Sequence, residues 1–155
     1  NLMLMEEGRL PTPLLYLSGY LETHRQEYYT RLQEVRELGR IQEWLQFFLT
    51  AVRRSSDDAV SRAERLVAMR EKYLAEAATS RSNLPALVDM MFTNPFITVN
   101  RVERRLGITN QGARNLVKEA ARRHWLNEIG ALGRGGRMYW VAQDLYEVIE
   151  APVSY

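Results

Sequence analysis

Five polar side chains, Gln111, Arg114, Asn115, Lys118 and Arg122, lie at spacings that stack them on one face of a helix. The chemistry open to such a face is the reading of DNA. An arginine fork fits the O6 and N7 acceptors of guanine, and the carboxamides of asparagine and glutamine pair with N6 and N7 of adenine. Gln111, Arg114, Asn115 and Lys118 are the candidates for base edges. Arg122 lies one turn further along and joins Arg134 and Arg137 as a candidate for phosphate contact. The last two sit in a glycine-rich run, Gly130 to Arg137, that has the composition of a loose basic loop.

Other chemistries fit less well. The run from Gly130 to Gly136 lacks the Gly-Lys-Ser/Thr ending of a phosphate-binding loop and precedes a strand-like segment, not a helix. His24 and His124 are far apart and have no clustered acidic partner at ligand spacing, and the chain has no cysteine, so neither a metal site nor a disulfide scaffold is expected. Ser18 and His24 are six residues apart with no nucleophile motif around them.

Charge supports the DNA reading. Of 155 residues, 46% are hydrophobic and 26% charged, with a net charge of +2. Residues 1–83 are neutral, with 12 basic and 12 acidic side chains, whereas the window 95–137 holds nine basic residues against Glu103, Glu119 and Glu128, a net +6. Such a patch attracts a polyanion through phosphate contacts and counterion release, its alternative being a solvated basic face without a partner. Arginine outnumbers lysine by 19 to 2, a bias that genome composition also produces. No run approaches the roughly 20 apolar residues of a membrane span, and the start of the chain has no signal-peptide pattern, so a cytoplasmic location without membrane partners is expected.

The elements that must position these residues follow from periodicity and punctuation. Asn1 to Glu7 has the character of the end of an apolar helix stopped at Gly8, as though the chain were an excised fragment, and Arg9 to Pro13 is a turn. Leu14, Leu17, Leu21, Tyr28, Leu32, Val35 and Leu38 predict a long amphipathic helix to Gly39, broken near Ser18 and Gly19, with Ser18 as N-cap of a fresh helix. Ile41, Trp44, Leu45, Phe48 and Val52 predict a helix over 41–54. Ser55, Ser56, Asp57 and Asp58 then resemble the cap of another, running to about residue 79. Tyr28, Tyr29, Trp44, Phe47 and Phe48 are assigned to the core. The polar stretch 79–85 sets the domain boundary, giving 1–80 and 84–150.

The second half has a different pattern. A helix over Leu84 to Phe92 ends before Asn94 and Pro95, because the residue before proline is pushed out of the helical region. Phe96 to Thr98 is a short extended segment, and Val99 to Leu106 a helix with Val102 and Leu106 inward, stopped by Gly107. Thr109 is the N-cap of a helix to about His124, with Ala113, Leu116, Val117, Ala120 and Ala121 inward. Trp125 to Ile129 and Met138 to Val141 read as two strands of a hairpin, and Asp144 to Glu150 as a last helical turn. A short helix, a glycine turn, a second helix and then a hairpin with a basic tip is the grammar of a winged helix-turn-helix. The fold class expected is mainly α, with a small β-hairpin wing.

The first half resembles a family. Leu10 to Ser18 (Leu-Pro-Thr-Pro-Leu-Leu-Tyr-Leu-Ser), His24 to Tyr29 (His-Arg-Gln-Glu-Tyr-Tyr) with Leu32, and Trp44 to Leu49 (Trp-Leu-Gln-Phe-Phe-Leu) resemble the part of Fic proteins that follows their catalytic loop. In that family a His-Pro-Phe-x-x-Gly-Asn-Gly-Arg loop forms the active site, and members transfer AMP from ATP, with Mg, to a target hydroxyl. The resemblance covers roughly residues 1–55, and a winged helix after it matches an arrangement seen in many bacterial members. It implies the C-terminal portion of a protein adenylyltransferase, with the catalytic residues elsewhere. No residue here matches the loop, so no catalytic or cofactor residue is assigned to this chain. The family's inhibitory Ser/Thr-x-x-x-Glu-Gly/Asn element is matched by Ser18 and Glu22 only in its first part, since Thr23 follows.

Two functions from different classes are therefore expected. One is a DNA-binding, transcription-regulating winged helix that takes duplex DNA as partner. The other is a protein-interaction module that docks a target, forms a homodimer or regulates a Fic active site without binding DNA.

Overall fold

The computed structural model describes residues 17–80, 82–132 and 137–150, with the side chains of Leu132 and Arg137 excepted. The expected helix end at Asn1 to Gly8, the turn at Arg9 to Pro13, Leu14, and Arg134 at the tip of the hairpin lie outside the described residues. Among the described residues the fold is mainly helical with one small antiparallel sheet, and no helix is long and apolar enough to cross a membrane. The described chain divides into two compact units, 17–63 and 64–150.

The first unit contains α1 (Leu17–Thr23), α2 (Arg25–Leu38) and the first turns of α3 (Ile41–Ala77). Ser18 lies inside α1 and not at the start of a fresh helix; the interruption falls instead at His24. It is slight, because the backbone ladder continues through it: His24 N–H donates to Tyr20 O at 3.0 Å and Tyr28 N–H to His24 O at 2.9 Å. Gly39 ends α2 with φ 67°, a left-handed conformation natural to glycine. Tyr20, Phe47 and Ala51 form a buried cluster, with Leu17, Leu21, Tyr28 and Trp44 packed against it. Phe48 is half-buried beside Trp44, and Tyr29 is exposed, contrary to its assignment to the core.

A second correction concerns Ser55 to Asp58. The cap-like sequence starts no new helix, and α3 runs unbroken through it for 37 residues. The Ser56 hydroxyl donates to Val52 O, four residues back, at 2.9 Å, and Asp58 pairs with Arg62 at 2.7 Å. Both side chains thus find i,i+4 partners within the helix. With no glycine or proline nearby, nothing forces the backbone out of it.

In the second unit, α4 (Leu84–Thr93), β1 (Phe96–Ile97), α5 (Val99–Leu106), α6 (Asn110–Arg122), β2 (Asn127–Leu132), β3 (Arg137–Val141) and α7 (Gln143–Glu150) follow in that order. The sheet order is β1-β3-β2, all antiparallel, so the extended segment at Phe96 is a third strand of the wing sheet. It pairs Phe96 with Val141 and Ile97 with Trp140. Ile129 is the extra residue of a bulge between the Glu128–Trp140 and Gly130–Tyr139 pairs, and Gly130 there takes φ 109°.

The core of this unit is continuous. Leu84, Leu87, Met91, Ile97, Leu126 and Leu145 are almost wholly removed from solvent, each burial stabilising by roughly 1.5–3 kcal/mol relative to exposure. Tyr73 and Ala77 belong to the same core, with Leu66, Met69 and Leu74 packed on it. The last turns of α3 are therefore part of the second unit, which begins well before the polar stretch at 79–85.

Candidate nucleic-acid interface

The helix that carries the candidate residues is held at both ends by its own sequence. At its start the Thr109 hydroxyl accepts the Gly112 N–H at 3.1 Å, satisfying one of the donors an α-helix leaves unpaired. At its end, His124 takes φ 60°, its N–H donates to Ala121 O at 3.0 Å, and Trp125 N–H donates to Ala120 O at 2.9 Å. These are the two hydrogen bonds of a Schellman motif. The buried Trp125 that follows drops straight into the core, so the strand starts at Asn127 and not at Trp125. The preceding α5 also stops at a left-handed residue, Gly107 (φ 62°), but there Glu103 O accepts the N–H groups of both Gly107 and Ile108.

Between these ends α6 has two distinct faces. Ala113, Leu116, Val117 and Ala120 are buried, and Ala121 is half-buried. Small residues at 113 and 120 let the helix approach its neighbours closely. Gln111, Arg114, Asn115, Lys118 and Arg122 are all exposed on the other side. The structure brings these five together on one surface, as their spacing predicts. Arg137 lies on β3 opposite Leu132.

The exposed groups are not independent. Gln111 Nε2 donates to Asn115 Oδ1 at 3.0 Å, and Arg114 Nε donates to Asn110 Oδ1 at 2.9 Å. Arg122 pairs with Glu119 at 2.6 Å, and Arg123 pairs with the same carboxylate at 3.0 Å. The hydrogen bond from Arg123 outweighs the opposing desolvation and, with the charges of Arg122 and Arg123, holds the Glu119 carboxyl below its ordinary range. Part of the positive charge of this face is thus neutralised within the protein, and Lys118 has no such carboxylate partner among the described residues.

Three residues absent from the candidate set matter to the site. Arg123 is half-buried, donates to Glu76 O at 3.0 Å and lies 5.4 Å from the centre of the Trp125 ring. It is a structural arginine, although its position in the basic window offers no sign of that. Glu103 and Asn110 are joined by a hydrogen bond at 2.6 Å that ties α5 to the start of α6. The i,i+4 spacing of Asn110 and Arg114 is the one sequence signal for this link. Beside α6 is a groove of about 380 Å³, lined by Ser82, Asn83, Asn115, Glu119 and Arg122 among others. No cluster of three or more metal-ligating side chains occurs among the described residues.

Helix, strand, helix, helix and two-stranded wing, with a polar helix face turned outward, is the architecture of a winged helix-turn-helix. Residues 84–135 match the family model described as an HTH DNA binding domain. The match runs from α4 through β2 and includes all five exposed residues of α6. This part of the chain is a helix-turn-helix domain of the DNA-binding class.

Proposed function

We propose that the second unit binds duplex DNA with α6 in the major groove and the β2–β3 wing against the flanking backbone. The observation that carries this reading is the two-faced character of α6. Gln111, Arg114, Asn115 and Lys118 are exposed where base edges would lie, while Ala113, Leu116, Val117 and Ala120 anchor the helix. Arg122, Arg134 and Arg137 contact phosphates. A titration of mixed-sequence duplex at several salt concentrations tests it. Binding tightens at low salt, and replacing Arg134 and Arg137 together with alanine reduces the logarithmic salt slope by about two. Absence of binding at low salt would overturn the proposal, and an unchanged slope in the double variant would remove the wing from it.

We further propose that the chain is the C-terminal portion of a Fic-type protein adenylyltransferase and is itself non-catalytic. Support comes from the resemblance over roughly residues 1–55. The ATP and Mg chemistry belongs to a loop that no residue of this chain matches. Incubation with labelled ATP tests this: the 155 residues alone transfer no AMP, and the product of the complete gene modifies a protein hydroxyl. A gene without the His-Pro-Phe-x-x-Gly-Asn-Gly-Arg loop would end the proposal.

A protein-interaction role is favoured by one observation in the first unit. Ile41, Leu45 and Leu49 are all more than two-fifths exposed on the first turns of α3. Homodimerisation through such a face predicts a concentration-dependent mass in sedimentation, and a monomer at high concentration would count against it.

A further inference from the structure

The DNA-binding reading assigns Arg114 to a base edge but leaves open what orients a long, exposed side chain for that task. We propose that Glu103 and Asn110 are positioning residues that hold Arg114 for bidentate recognition of a guanine. The inference rests on the DNA-binding reading and adds to it a specificity mechanism.

The arrangement begins at the helix-turn-helix turn. Glu103 O accepts the N–H groups of Gly107 and Ile108, which fixes the backbone of Glu103 relative to the turn. Its carboxylate then accepts from Asn110 Nδ2 at 2.6 Å, and Asn110 Oδ1 accepts from Arg114 Nε at 2.9 Å. The orientation of the Asn110 carboxamide is fixed by chemistry: an ionised carboxylate only accepts hydrogen bonds and a guanidinium only donates them. Reversing the amide would set oxygen against oxygen and N–H against N–H. Asn110 thus passes the fixed position of Glu103 to the guanidinium.

Use of Nε matters for recognition. A guanidinium has five N–H donors, and the bond to Asn110 takes the single one on Nε, at the base of the fork. The two terminal nitrogens remain, and their paired N–H groups match the spacing of guanine O6 and N7. A side chain already restrained in this way loses less rotamer freedom on contacting the base. Lys118 has no comparable restraint among the described residues, which suits a contact indifferent to sequence.

The test is selection from a randomised duplex pool, followed by affinity measurements on the selected duplex and on versions with each guanine replaced. The natural chain is expected to prefer guanine at one position by on the order of 10-fold or more, and Arg114→Ala to lose that preference. Asn110→Ala and Glu103→Ala are expected to reduce it to about threefold or less with an unchanged salt slope. Glu103→Gln retains it, because a neutral carboxamide oxygen still accepts from Asn110. In an Arg114→Ala background, Asn110→Ala has no further effect on base preference. A nuclear magnetic resonance measurement on the free protein gives an independent readout: Arg114 Nε–H exchanges faster with water in Asn110→Ala. This readout keeps the network testable if Glu103→Ala fails to fold. Failure of the natural chain to enrich any sequence at low salt would overturn the DNA-binding reading and this inference with it. An Arg114-dependent guanine preference that survives Asn110→Ala would overturn the inference alone.

Discussion

The indole N–H of Trp125 donates to the Glu76 carboxylate at 3.0 Å, linking residues 49 positions apart. The bond ties the last turn of α3 to the segment that leaves α6. Tyr73, one turn earlier on α3, stacks on the Trp125 ring at 5.0 Å, and Arg123 covers that ring while donating to Glu76 O. The end of α3 is thereby part of the unit that carries the exposed polar face of α6.

Removal of this helix end should therefore weaken the domain. A polypeptide of residues 84–155 is expected to unfold at lower urea concentration than one of residues 64–155, since it lacks the side chains of Leu66, Met69, Tyr73, Leu74 and Ala77. Within the full chain, Glu76→Ala leaves the partly buried Trp125 N–H without its acceptor and is expected to cost about 1–3 kcal/mol. Urea titrations followed by tryptophan fluorescence check both, and coincident midpoints would contradict the integration of α3 into this unit.

Thr109 makes a separable contribution at the start of α6. Thr109→Ala removes the acceptor for Gly112 N–H and is expected to destabilise by about 1 kcal/mol, whereas Thr109→Ser retains most of the stability. Thermal denaturation of the two variants distinguishes loss of the cap from loss of the methyl group.

Tyr73 predicts an alkaline limit to stability. Burial first, then the charges of Asp144 and Glu76, push its phenol up to about 12 from an ordinary 10.0. The folded chain therefore keeps a proton that the unfolded chain releases. The contribution is fully present below pH 10 and is lost as pH rises from there through about 12. Denaturation midpoints measured across this range are expected to fall more steeply for the natural chain than for Tyr73→Phe. Parallel curves would show that Tyr73 is not responsible.

The charge pattern of α6 separates two kinds of cation. Lys118→Ala is expected to lower the logarithmic salt slope of DNA binding by about one, because Lys118 has no internal carboxylate partner among the described residues. Glu119→Gln removes the negative charge that Arg122 and Arg123 share and is expected to tighten binding at low salt. Affinities measured over a salt series check both outcomes.

The local features of the winged domain are legible in the order of its amino acids. Thr109 as cap, Gly107 as stop, the inward set Ala113, Leu116, Val117 and Ala120, and the outward set from Gln111 to Arg122 were all legible. Each depends on backbone geometry and periodicity within a few residues. The wing was legible as a hairpin for the same reason.

Other features depend on partners distant in the chain or on competition between local options, and so emerge only from the packed fold. Ser55 to Asp58 has the composition of a cap, but Ser56 and Asp58 find partners inside the helix, so α3 continues. Phe96 and Ile97 are too few to show a strand period, and only Val141 and Trp140 opposite them make a strand of them. Tyr73 and Ala77 of α3 join the core of the second unit because they find their burial against residues such as Trp125, far along the chain. The orientation of Arg114 required Glu103 to meet Asn110 across a turn. A hydrogen bond between side chains on two helices exists only once packing has brought the helices together.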